Sequence, residues 1–227
     1  VAREQLAELV GARPREVVFT SGATEAIATT HHGALTRDGA GDGVVASLVE
    51  HSAVREWAGR GRFLAVGVDR LGRIDPDELL DRVDDTTAIV DIQWGNHEVG
   101  TLQPVAEIVE RCRDRGVLVH VDAAQAVGRV PVDFSALGAD LLSLSGHKFG
   151  APPGSGALLV RRGVRVPPLL LGGDQERARR AGMENVPAAA GLGAAAVELT
   201  ATLDDERATS RRLTDRIIGW ADHTEGV

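Results

Sequence analysis

The sequence predicts an α/β fold, with helices on both faces of a mostly parallel sheet and one antiparallel strand. Three observations carry that expectation. Short apolar runs of strand length alternate with helical stretches along most of the chain. The runs are apolar at consecutive positions, as strands covered on two faces require. The gap between Leu144 and Ser155 is too short for a crossover helix, so the last strand has to reverse direction.

In chain order, residues 16–20 read as a strand and 25–35 as a helix. Residues 44–49 form a strand and 53–58 a short helix, followed by a strand at 63–68. Asp75-Pro-Asp-Glu is a helix start: a capping aspartate, proline in the first turn and Glu78 three residues on, with the helix running to about residue 83. Residues 87–92 are a strand. Pro104 opens a helix that ends before Gly116. Strands follow at 117–122, 140–144 and 155–161. After Pro187 the pattern is helical and alanine-rich to about Trp220. The expected division is a large domain over 1–187, incomplete at its N-terminus, and a long helix over 188–227 leading toward a further C-terminal domain.

With 227 residues and 43% hydrophobic side chains, the chain can build one large core. Its formal net charge of -8 argues against nucleic acid or an anionic membrane as partner. No apolar run reads as long enough for a membrane span, and no secretory signal stands at the front. The single cysteine, Cys112, forms no internal disulfide, which fits a reducing, cytoplasmic setting. Cys112 lies mid-helix between Arg111 and Arg113 and reads as inert. The chain begins with Val1 and holds one methionine, so it reads as a fragment or a processed chain.

Of 25 basic residues, 24 are arginine and one is Lys148. Guanidinium does not deprotonate near neutral pH, whereas an amine does, so Lys148 is the one side chain able to act as an amine nucleophile. The other unusual residues fall at the carboxyl ends of the strands, where open parallel sheets bind ligands. Ser21-Gly-Ala-Thr24 leads into a helix, either as a phosphate cradle or as a plain cap. His51 follows the second strand, and Asn96-His97-Glu98 the fourth. Asp122 ends the fifth among apolar neighbours and needs a partner: a protonated ring nitrogen, an arginine or a backbone amide. Ser145-Gly-His-Lys148 follows the sixth. His120 and Asp122 could instead share a metal with His51 or His147, but no tight ligand spacing supports it. His31-His32 reads as a solvated or packed helical pair. Phosphate cradle, carboxylate, ring-facing histidine and lone lysine together describe a pyridoxal phosphate site. A dinucleotide site fits less well, because no Gly-x-Gly-x-x-Gly turn follows a strand.

TSGATEA (residues 20–26), EHSAV (50–54), NHEVGTLQPV (96–105), HVDAAQAVGRVPVD (120–133), SLSGHKFGAPPGSGAL (143–158) and GGDQERARRAGMENVP (172–187) occur in this order. Together they resemble the cysteine desulfurases of the NifS/IscS type, members of the class V aminotransferase group of fold type I enzymes. The resemblance implies a three-layer large domain and pyridoxal 5'-phosphate. It implies that Ala23, Thr24 and Ser145 hold the phosphate with a contact from His147, that His51 stacks on the ring and moves protons, and that Asp122 pairs with the ring nitrogen. It further implies that Gln125 bonds the ring hydroxyl and that Lys148 carries the Schiff base. The implied reaction takes sulfur from L-cysteine, leaving L-alanine and an enzyme persulfide, for iron–sulfur scaffolds or tRNA-thiolating partners. A homodimer is implied too.

Three departures stand out. His97 occupies the place of the family's cofactor-contacting asparagine. Met183 replaces a threonine that reaches the partner subunit's phosphate. The segment before the first helix and the C-terminal small domain with its persulfide cysteine are absent, so the chain is expected to carry the cofactor half alone. Another class V enzyme (a selenocysteine lyase, a C–S lyase or an aminotransferase) and a non-catalytic dimerisation module remain the alternatives.

Overall fold

In the computed structural model, which describes residues 1–226, seven strands form one sheet in the order β1-β7-β6-β5-β4-β2-β3. They are β1 (Val17–Thr20), β2 (Gly43–Ser47), β3 (Arg62–Val66), β4 (Thr87–Gln93), β5 (Leu118–Asp122), β6 (Leu141–Ser145) and β7 (Gly156–Val160). The helices are α1 (Ala2–Leu9), α2 (Ala23–Thr36), α3 (Ser52–Ala58), α4 (Pro76–Asp81), α5 (Val105–Asp114), α6 (Phe134–Leu137), α7 (Gln175–Ala178) and α8 (Val186–Ala221). Strands β3, β2, β4, β5 and β6 run parallel. β7 is antiparallel to both neighbours, β1 and β6. The expected mostly parallel sheet with one reversed strand is therefore what forms.

Alternation along each strand divides the core into two layers. Val45, Val90, Ile92, Val119, Val121, Leu142 and Leu144 pack with Leu6 of α1, Leu79 of α4, Ile108 of α5 and Leu192 of α8. Val44, Ile89, Leu141 and Leu158 face the other way, onto Ala26 and Ala34 of α2 and Ala58 of α3. β2, β4, β6 and β7 are buried on both faces and β5 nearly so, which explains their continuous apolar runs, while the edge strand β3 stays half-exposed.

Some elements differ from expectation. α1 and α6 were not expected: they are about two turns and one turn long, too short for helical periodicity to stand out in the sequence. Asp75 caps α4 by accepting from the Asp77 amide at 2.9 Å, but Glu78 does not close a capping box. Its carboxylate accepts instead from the Gly67 amide at 3.3 Å, tying α4 to the exit of β3. α8 is by length and composition apolar enough to cross a membrane, with a mean hydropathy of 1.4 over its best window, which corrects the reading that no such run exists. Its Ala188, Leu192, Gly193, Ala196 and Leu199 are buried within the fold. A Cβ on Gly193 would lie 2.7 Å from the Ala2 Cα, so glycine is what lets α8 cross α1 this closely.

Around α7 the backbone turns left-handed: Glu176, Arg177 and Ala178 have φ of 50°, 59° and 59°. None is glycine, so the turn is strained by about 1–2 kcal/mol per residue. Glu176 anchors it. Its carboxylate receives a bidentate bond from Arg3 at 2.8 and 2.6 Å and one from the Phe19 amide at 3.1 Å.

Candidate functional site

The exit of β1 forms the first wall. Ser21 and Gly22 turn the chain into α2, and Glu25 in its first turn accepts from the Ser21 amide at 2.8 Å. Arg180 pairs with Glu25 at 2.7 Å. Burial pushes the Glu25 carboxyl up, but Arg180 and the Ser21 amide outweigh it and hold it below the usual carboxylate range. The backbone N–H groups of Ala23 and Thr24 open α2 and have no acceptor among the described residues. They are the orphan donors of a helix start, where an anion is stabilised.

β7 packs under this turn. A Cβ on Gly156 would fall 2.5 Å from the Gly22 Cα, so only glycine allows the approach. Gly156→Ala is expected to displace the turn and weaken cofactor retention about tenfold or more, at a stability loss of roughly 1–3 kcal/mol. Equilibrium dialysis against pyridoxal phosphate and thermal melting measure both effects.

The exits of β2 and β4 form the second wall. His51 caps α3: its Nδ1 accepts from the Ala53 amide at 3.1 Å and so carries no proton. The other ring nitrogen is left for the cavity. The His97 ring lies 5.5 Å from it, centroid to centroid, at 61°. Asn96 serves the loop: its Oδ1 accepts from the amides of Glu98 and Val99 at 2.9 Å each, and its Nδ2 reaches the Val49 carbonyl at 3.3 Å. Asn96 is therefore committed to the backbone and to the Gln93 side chain at 3.3 Å, and His97 is the side chain offered to the cavity.

β5 and β6 form the floor. Asp122, the last residue of β5, is 7% exposed. Its Oδ1 accepts from the Ala124 amide at 3.0 Å and the Ser143 hydroxyl at 3.3 Å. Its Oδ2 has no protein partner among the described residues. Ser145 ends β6, with its Oγ 3.0 Å from His147 Nδ1. Lys148 follows in the 3-10 turn Gly146–Phe149, and its side chain is accessible.

These walls enclose a cavity of about 390 Å³. All nine residues expected at the site line it: Ala23, Thr24, His51, His97, Asp122, Gln125, Ser145, His147 and Lys148. The lone lysine and the half-bonded aspartate thus face one space. Gln93 also lines it and was not expected. As the residue that ends β4 in register with Asp122, it had a signal in the sequence: a polar side chain closing an apolar strand.

Other expectations are redirected. His120 does not join Asp122 in a metal site. Its Nδ1 lies 2.8 Å from Asp91 Oδ1, its register partner on β4. His31 is neither solvated nor simply packed: its Nε2 lies 3.0 Å from Asp91 Oδ2, fully buried. Among the described residues no group of three side chains is arranged for a metal. Met183 is 88% exposed and lies outside the cavity. Cys112 is buried, and burial pushes its thiol up to about 11 against the opposing pull of Arg115 and Arg111.

Comparisons with known proteins find relatives of this chain. The family described as aminotransferase class V matches residues 1–222. The chain is 43% identical over 224 residues to the cysteine desulfurase IscS of Methanosarcina thermophila, covering 96% of this chain and 55% of that protein. A solved NifS-like protein superposes with a TM-score of 0.91 at 34% identity, over 96% of this chain and 62% of that one. A second solved structure, SspA in complex with cysteine, gives a TM-score of 0.82 at 33% identity, over 86% and 58%. The chain spans about half the length of the curated relative.

Proposed function

This chain belongs to the class V aminotransferase family, and from that premise we propose that it forms the cofactor-holding part of a cysteine desulfurase. The family depends on pyridoxal 5'-phosphate, and the cavity suits that group in size and donor set. Free amides at the start of α2 and the hydroxyls of Thr24 and Ser145 match a phosphate. The unpaired Oδ2 of Asp122 matches a protonated ring nitrogen. The single observation that carries the reading is that the only lysine of the chain, this half-satisfied carboxylate and the open helix start share one cavity.

When bound, the cofactor supplies an electron sink for charge developing on an amino acid substrate. The residues of the chain do the rest. Lys148, the one amine side chain lining the cavity, would hold the cofactor through its aldehyde. Asp122 holds a proton on the ring nitrogen by offering it a negative charge. His51, fixed through Nδ1, presents its other ring nitrogen to the ring face, where it can move a proton. Gln125 would bond the ring hydroxyl, His147 would support the phosphate through Ser145, and His97 would take the place of an amide donor.

The substrate in this proposal is L-cysteine, as bound by the similar SspA. The products are L-alanine and an enzyme persulfide, and the sulfur goes to an iron–sulfur scaffold or a tRNA-thiolating protein. The protein acts as a homodimer in the cytoplasm. Residues 1–187 serve as its large domain, and α8 leads onward. The test incubates the protein that carries this chain with L-cysteine. Alanine with protein-bound persulfide is expected. Pyruvate with ammonia shows lyase chemistry instead.

A further inference from the structure

Three buried carboxyl groups stand at the cavity floor or behind it, and the fold gives each different company. Asp91 stands between two imidazoles, His120 at 2.8 Å and His31 at 3.0 Å. His31 Nδ1 donates to the Ile27 carbonyl at 2.9 Å. The carboxylate beside the other ring nitrogen favours the positively charged form of the ring. Burial opposes that charge, and Asp91 more than restores it, so the imidazole is raised above its ordinary value. Asp122 keeps one oxygen bonded and offers the other to the cavity.

Glu50 has neither arrangement. It is 2% exposed. Its Oε1 accepts from the Gln93 amide at 3.0 Å and the Ser47 hydroxyl at 3.2 Å. Its Oε2 is buried with no partner. Among the described residues no lysine, arginine or histidine nitrogen comes within ion-pair distance of it. The charged groups facing it are Asp91 from β4 and Asp122 from β5, both acidic. His31 of α2 is engaged by Asp91, and His51, next in the chain, turns its Nδ1 to Ala53.

We propose that Glu50 is a positioning residue held as a neutral acid, tying the exits of β2 and β4 that carry His51 and His97 while placing no second negative charge beside Asp122. The bond to the Gln93 amide joins the two strand ends directly. The Gln93 side chain returns the tie at 2.7 Å to the Val49 carbonyl. A carboxylate with one oxygen buried and unpaired would be strongly disfavoured there, whereas the protonated form needs no counter-charge. Burial is the largest push on the proton, the charges of Asp122 and Asp91 add to it, and the Gln93 and Ser47 bonds resist less. The effect on the cofactor rests on the reading of Asp122 given above; the tie and its proton belong to the cofactor-free protein as well.

A group raised in the folded state stabilises below its unfolded value and loses that contribution as pH rises through the folded value. Glutamine mimics the neutral acid at every pH. Melting temperatures of the cofactor-free protein carrying this chain, as wild type and Glu50→Gln, are compared between about pH 5 and about pH 9. The difference is expected to move steadily in favour of glutamine as pH rises. The raised His31 titrates in both proteins and leaves the difference unaffected. Infrared difference spectra near neutral pH should show a protonated-carboxyl carbonyl band in wild type that Glu50→Gln lacks. Glu50→Gln should keep affinity for pyridoxal phosphate within about twofold, and Glu50→Ala, which cuts the tie, should lose about tenfold. A flat difference in melting temperature, the absence of the carbonyl band, or equal loss of affinity in both variants overturns the proposal. Where Glu50→Ala does not fold, the melting and infrared comparisons decide alone. If the carbonyl band and melting trend appear but L-cysteine yields no alanine, the function is wrong and the neutral clamp stands.

Discussion

Lys148→Ala is expected to abolish covalent retention of pyridoxal phosphate and to lower turnover by several orders of magnitude. No neighbour can substitute, because every other basic side chain that could move into the cavity is arginine or histidine. Arginine fails for a chemical reason: its guanidinium stays protonated and offers no free electron pair near neutral pH. Lys148→Arg should therefore be as inactive as the alanine variant while preserving charge. That equality separates amine chemistry from electrostatics. Borohydride reduction followed by peptide mapping checks it: wild type should carry label on the peptide containing Lys148, and both variants should carry none. Label elsewhere in wild type would refute the assignment.

Asp122→Asn is expected to leave cofactor binding partly intact and to lower turnover on the order of 10²–10³-fold. The amide is nearly isosteric, so one side-chain atom can still accept from Ala124 and Ser143. The position of Oδ2 then holds a neutral amide donor, which cannot stabilise a protonated ring nitrogen and competes with that proton. The measurement is kcat for the protein carrying this chain, alongside cofactor affinity by dialysis. A variant with wild-type kcat would remove Asp122 from its assigned role. Loss of affinity alone would make it a binding residue.

The strands and most long helices were legible because burial on both faces leaves a direct trace in composition. The run from Val117 to Asp122 needs no partner information to be read as a strand. The cavity was legible because strand exits of a parallel sheet converge, so residues far apart in sequence could be assigned to one edge. What escaped was pairing in depth. His31, Asp91 and His120 come from α2, β4 and β5, and no local pattern links them. A clue was present: Asp91 interrupts an otherwise apolar strand, and a charge there requires a counter-charge. The two imidazoles that supply it could not be named from spacing. Nor could the left-handed turn at Glu176, since its stability comes from Arg3, far away in sequence.

The position of β7 has a consequence for how the molecule is made. β1, which leads into the turn at Ser21 and Gly22, pairs with β7, and Val17 lies opposite Leu159 in that pairing. During synthesis β1 leaves the ribosome early and has no place in the sheet until residues 156–160 follow. Long-range pairing of this kind closes late, because the entropy of a large loop must be lost first. The parallel strands β2 to β6 can assemble ahead of it, and the turn that opens α2 is completed last. A nascent chain halted before β7 would leave β1 without its sheet partner and the Gly146 amide, at the start of the Lys148 turn, without the Ser155 carbonyl, so on the function proposed above the cofactor would be captured only once the sheet is finished.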